Sequence, residues 1–157
     1  MKKLILLVTV LIVGVIALKG AEDRVSQVDA ADARMNSAIA HARKNLPHFW
    51  ARLEKQARGE SDFNLKVGIE DKNGVEHFWC SDVRREADQL SGVINNDPMI
   101  VKSVSNGQRV TFKEDQISDW LYMRVGKMIG NYTVRPLMSD MSNDERRNIE
   151  AMLGPLP

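Results

Sequence analysis

The chain has little of what usually carries recognisable chemistry. Cysteine occurs once, at Cys80. That excludes an internal disulfide and leaves, in an oxidising compartment, a buried thiol or a bridge to another molecule. Histidine occurs only as His41, His48 and His77. No Cys or His pair has zinc-ligand spacing, and Pro47 breaks the helix that would have to align His41 with His48. A glycine-rich phosphate loop and a serine nucleophile elbow are both missing. So is an excess of one charge: 22 Lys and Arg stand against 21 Asp and Glu, and a surface of mixed sign lacks the basic footprint of a nucleic-acid binder. No internal repeat or low-complexity stretch occurs, so 157 residues fit one domain.

One long apolar run is present, at the start. Lys2 and Lys3 precede Leu4 to Leu18, in which Thr9 is the sole polar residue, and the chain turns charged at Glu22-Asp23. A basic start, an apolar stretch and small residues near the exit form the pattern of an export signal. The stretch is shorter than the roughly 20 apolar residues a spanning helix needs. Cleavage would use Val15 and Ala17, or follow Gly20; the alternative is an uncleaved anchor through residues 4–18. Both place the rest of the chain outside the cytoplasm, periplasmic or secreted in one case, held at the inner membrane in the other. Membrane contact is then expected only through an uncleaved N-terminal segment. Loss of residues 1–20 removes three lysines and no acid, which leaves a formal charge of −2.

Residues 21–28 read as a polar tether and 29–157 as one domain. Met35, Ala38, Ile39, Ala42 and Leu46 recur at helical steps. Pro47 ends that helix and opens a second, in which Phe49, Trp50, Leu53 and Ala57 share a side before Gly59. Period two begins at Phe63: Phe63, Leu65, Val67 and Ile69 alternate with polar or small residues. Asn73-Gly74 signals a hairpin. With that pair as the loop, Gly68 faces Trp79 and Val67 faces Cys80, and one core face holds Leu65, Val67, Ile69, Phe78 and Cys80. A strand is expected over 90–95, a turn at Asn95-Asn96-Asp97-Pro98 and a strand over 108–113. A last hairpin is expected over 117–124 and 128–135, with Gly126-Lys127 as its loop. Ser142 and Glu145 form a capping box, and Gly154-Pro155 stops the final helix.

Several of these residues, taken in order, resemble one bacterial family. They are Asp62-Phe63 with Lys66-Val67; Glu76-His77-Phe78-Trp79; Gly92-Val93 with Asn95-Asn96 and Pro98; and Gly107 with Val110-Thr111-Phe112. Ile117-Ser118-Asp119-Trp120 with Tyr122, and Gly130 with Tyr132-Thr133 and Arg135, complete the set. They are similar to the YegJ-like group, a domain of unknown function, over Met35 to Glu150. The resemblance implies an exported protein and brings no reaction, cofactor or catalytic residue with it. Where the group has an aliphatic residue this chain has Cys80, which implies a packing role for that thiol.

The residues themselves offer two kinds of site. For chemistry, Cys80 with His77 is disfavoured, because strand residues three apart point to opposite faces. Asp119 with a second carboxylate, Asp82 or Asp115, is the pair a hydrolase would use, yet any protein this rich in acids offers such pairs. Glu114, Asp115 and Asp119 fall short of the oxygen count of a calcium loop. For recognition, the last hairpin would present Trp120, Tyr122, Arg124, Asn131 and Thr133 together, and aromatics with Arg and small polar groups are the composition of binding surfaces. The alternative is that a helix covers this side and Trp120 is core.

The expectation is an α+β domain. It has a curved, mostly antiparallel sheet of five to six short strands, open or closed into a partial small barrel, with two N-terminal helices and one C-terminal helix. The leading functional reading is a non-catalytic envelope module binding a protein or cell-wall component, without metal or cofactor. A hydrolase using Asp119 and a membrane-anchored accessory or immunity-type protein are the alternatives.

Overall fold

The computed structural model describes residues 33–87 and 89–157. The expected leader or anchor, the tether and the first residues of the expected domain lie outside the described residues. The described elements run α1 (Ala33–Lys44), α2 (Leu46–Lys55), β1 (Glu60–Asp71), β2 (Gly74–Glu86), β3 (Gln89–Ile94), β4 (Arg109–Phe112), β5 (Ile117–Arg124), β6 (Lys127–Gly130) and α3 (Asn143–Met152). Two 3-10 segments, Glu114–Gln116 and Tyr132–Asp140, lie before β5 and after β6. The six strands form one antiparallel sheet in the order β4-β3-β2-β1-β5-β6. It is open, so the barrel alternative does not hold.

The two N-terminal helices form as the spacing predicts. Met35 and Ala42 of α1 and Leu46, Phe49 and Trp50 of α2 are the buried positions. Pro47 sits in the first turn of α2, where its missing N–H would have had no partner anyway. These helices cover the face of the sheet that carries Leu65, Val67, Phe78, Cys80, Trp120 and Tyr122, all fully buried. A second, smaller cluster of Trp79, Leu121 and Met128 lies on the opposite face, with Met123 and Leu153 against it. The end of α3 reaches that cluster: Leu153 bridges to Met128, and the Gly154 N–H donates to the Met128 carbonyl at 2.8 Å. The capping box is present, with Ser142 accepting from the Glu145 N–H and Glu145 accepting from Ser142.

Both hairpins correct the expected register while keeping the expected faces. In β1–β2 the turn residues are Lys72 and Asn73, with Asp71 paired to Gly74 at φ +139°. The Asp71 carboxylate accepts the Asn73 N–H at 2.7 Å, so the side chain pulls the turn one residue toward β1. Gly68 therefore faces His77, and Trp79 faces Lys66. In β5–β6 the turn residues are Val125 and Gly126, at φ +47° and +73°, and Arg124 pairs with Lys127. Each slip moves the pairing by two residues in sum, so every side chain keeps its face.

The last strand is shorter than expected. β6 stops at Gly130, and Asn131 onward is not strand but a left-handed step leading into the 3-10 segment. Gly130 at φ +88° makes the step possible, since a Cβ there would sit 2.6 Å from the Trp120 ring. The long β3–β4 connection is tied down by two carboxylates of the first hairpin. Glu76, 3% exposed, accepts the N–H groups of Met99, Ile100 and Val101 at 2.8–3.1 Å. Asp71 accepts those of Lys102 and Ser103.

Candidate functional site

The five residues expected on one recognition face do not form an accessible surface. Trp120 and Tyr122 are 0% exposed under α1 and α2. The Trp120 Nε1–H donates to the Ala42 carbonyl at 2.8 Å, and its ring meets Phe49 and His48 at centroid separations of 5.8 and 6.0 Å. Tyr122 stacks on Phe63 at 5.0 Å. Arg124 stays half-buried at the rim. Asn131 and Thr133 are buried beyond the end of β6, because the chain leaves the strand before reaching them. The correction has a simple cause: the apolar stripe of α2 needed a surface, and the largest aromatics of the sheet supplied it.

Asp119 is buried at 0% exposure, and its neighbours are donors. Oδ1 accepts the N–H groups of Trp120 and Tyr132 at 2.8 and 3.0 Å, and Oδ2 accepts the Thr133 N–H and Oγ1–H, both at 2.7 Å. The side chain thus caps the first turn of the 3-10 segment. Lys66, opposite Asp119 in the β1–β5 register, donates to Thr133 Oγ1 at 3.2 Å and lies 5.6 Å from the Trp79 ring centroid. Burial pushes the Asp119 carboxyl above its ordinary value, against the pull of Lys66 and the donors of Thr133 and Tyr132. Burial also lowers the Lys66 ammonium, opposed by Asp119. No second carboxylate is among these contacts. Asp82 pairs with Arg84 and Arg109 at the surface, and Asp115 is exposed.

The remaining titratable groups also serve structure. Cys80 is 0% exposed and burial pushes its thiol up to about 12, far from the thiolate a nucleophile requires. His77 lies over Gly68 with Nδ1 2.9 Å from Ser118 Oγ, which in turn donates to the Lys66 carbonyl at 3.2 Å. Desolvation against the sheet, then Lys66 and Arg43, push His77 down to about 4, although its outer edge stays in water. At the far end of α2, Glu60 accepts from both Arg52 and Arg124. Arg124 also donates to Tyr122 Oη at 2.6 Å, and that hydroxyl lies 3.0 Å from His48 Nε2. Burial, Arg124 and Arg52 together lower His48. Among the described residues no group of three His, Cys, Asp or Glu could hold a metal ion.

Among the described residues an open cleft lies along α2. It has a volume of about 320 Å³ and is lined by Pro47, Trp50, Ala51 and Glu54 of α2, Arg85 of β2, and Glu114 ahead of β5. Trp50 is 6% exposed. The Arg85 guanidinium lies 5.1 Å from its ring centroid, and its indole N–H has no acceptor among the described residues. A buried donor left unmet costs about 1–3 kcal/mol. Arg85, Glu54 and Glu114 are exposed and have no ion-pair partner among the described residues. The sequence pattern puts Trp50 on the apolar side of its helix and Glu114 in an acidic cluster with Asp115 and Asp119, and singles out neither Glu54 nor Arg85. Arg85 and Glu114 are distant in sequence from Trp50, and no local spacing links them. Their meeting depends on β2 lying two strands from β5.

The bacterial family described as "Uncharacterized protein conserved in bacteria (DUF2314)" matches residues 32–155. Uncharacterized protein YegJ of Escherichia coli (strain K12) is 34% identical over 154 residues, covering 98% of this chain and 99% of that one. A putative ankyrin repeat protein of Neisseria meningitidis serogroup B is 32% identical over 135 residues, which is 81% of this chain. The match spans 53%, about half, of that longer protein. No solved structure matches the chain.

Proposed function

The chain belongs to the bacterial family DUF2314, and from that premise we propose a non-catalytic interaction module, acting at the cell envelope, with the cleft beside Trp50 as its contact surface. The observation that carries the reading is the contrast in occupancy. Asp119 is saturated by donors from its own chain, whereas Arg85, Glu54 and Glu114 surround an open cleft without ion-pair partners among the described residues. Charged and aromatic groups left uncompensated around a concavity are the raw material of recognition. The relative named for ankyrin repeats adds support, since the similar region there is one part of a longer protein. The envelope location rests on the basic start and apolar run of residues 2–18, and N-terminal sequencing of the exported product tests it: a new terminus near Glu22 fits a cleaved signal, an intact one the anchor.

The module reading is tested by crosslinked capture from native envelope, with the full tagged chain and its Glu114→Arg variant side by side. Glu114 is exposed and makes no ion pair among the described residues, so the variant is expected to fold. One partner enriched by the parent chain and lost by the variant supports the cleft. Equal enrichment by both, or none, removes it.

A further inference from the structure

We propose that the cleft between α2 and β2 receives a guanidinium-bearing side chain of a basic protein partner. This deepens the module reading above and rests on it. Two observations converge. The wall of the cleft is an aromatic ring already engaged by a guanidinium, that of Arg85, at 5.1 Å. A planar cation over an indole face is the most favourable of the cation–π pairings, so the chain displays within itself the contact that an incoming arginine would make. The rim carries two carboxylates, Glu54 and Glu114, and neither has an ion-pair partner among the described residues. Against the one cation Arg85 they leave the cleft with an excess of negative charge. An anionic ligand would meet two repelling carboxylates, and an apolar one would bury them unpaired; a cation meets neither cost.

The sheet decides which cation fits. Glu54 lies one helical turn after Trp50 on α2, and Glu114 comes from the 3-10 turn ahead of β5. The two acids therefore approach the cleft from different elements, and both share its lining with Trp50. A bidentate fork can satisfy one carboxylate while its plane rests on the indole; a compact ammonium makes the first contact but not the second. Arg85, exposed near the end of β2, is then a resident competitor for the ring.

The test uses the full chain in uncharged detergent, with 15N-labelled tryptophan indoles, titrated with an acetylated and amidated tri-arginine peptide. The Trp50 indole signal, assigned with Trp50→Phe, shifts saturably while those of Trp79 and Trp120 stay in place. The Glu54→Gln/Glu114→Gln double variant weakens binding roughly tenfold, Arg85→Ala tightens it, and tri-lysine binds more weakly than tri-arginine. No saturable shift, an unchanged affinity in the double variant, or equal binding of tri-glutamate overturns the proposal. Tri-arginine added to the envelope capture separates it from the module reading. Capture abolished by the peptide supports the basic partner; capture that survives excess peptide removes this chemistry and leaves the module standing.

Discussion

Trp120 and Trp50 both pack on Phe49 and are nearly hidden, and they differ in what they leave unmet. Trp120 contacts Phe49, His48, Tyr122 and Tyr132, and its N–H is satisfied by Ala42. Among the described residues Trp50 packs edge-on to Phe49, lacks an acceptor for its N–H and borders a cleft whose charges have no ion-pair partner. An aromatic residue on a hairpin is therefore a poor guide to a binding surface. The guide is whether the chain has already used the group's contacts, because a satisfied side chain has nothing left to offer a partner.

The largest expected effect breaks the comparison on the closed side. Trp120→Ala costs about 3–5 kcal/mol, the range for deleting a large buried aromatic, whereas Trp50→Phe, which keeps a ring and removes an orphan donor, stays within about 1 kcal/mol. Urea unfolding of both variants measures this, and equal losses would erase the distinction. Next comes Asp119→Asn, expected to cost about 2–4 kcal/mol, since it strips charge from a carboxylate facing Lys66 and puts a donor against donors. A fully folded and stable variant would refute the capping role.

The third effect is a pH dependence. His48 and His77 are both lowered in the folded state, His77 to about 4, so between that value and about 6.5 the unfolded chain holds more protons. Their stabilising contribution is complete above about pH 6.5 and is lost as pH falls toward 4. His77 has an exposed edge, which limits its share. The urea midpoint should fall from pH 7 to pH 5, and His48→Gln should flatten part of that slope by removing a proton acceptor between Tyr122 and the two arginines. The smallest effect is on the open side: Glu54→Gln and Glu114→Gln each change stability by less than about 0.5 kcal/mol, as surface substitutions do. A larger loss would mean that these carboxylates serve the fold rather than the cleft.

Much of the architecture was legible in the chain. Helical spacing with Pro47 placed α1 and α2, alternation from Phe63 gave β1, and the Ser142–Glu145 box gave the start of α3. Registers slipped because turn positions depend on bonds the one-dimensional pattern does not contain, such as Asp71 to Asn73. The strand expected over 128–135 failed for a related reason. Tyr132 and Val134 alternate like a strand, but the Asp119 carboxylate gathers the N–H groups of Tyr132 and Thr133 and sets a 3-10 turn there instead.

The sequence by itself determined the helices, the first hairpin with its core face, and the lack of local catalytic motifs, because periodicity and capping act over a few residues. Only the tertiary structure decided that Trp120 is core, that Asp119 is a cap, and that Trp50, Glu54, Arg85 and Glu114 share a cleft. Those outcomes follow from strand order and helix docking, which set contacts between residues dozens of positions apart.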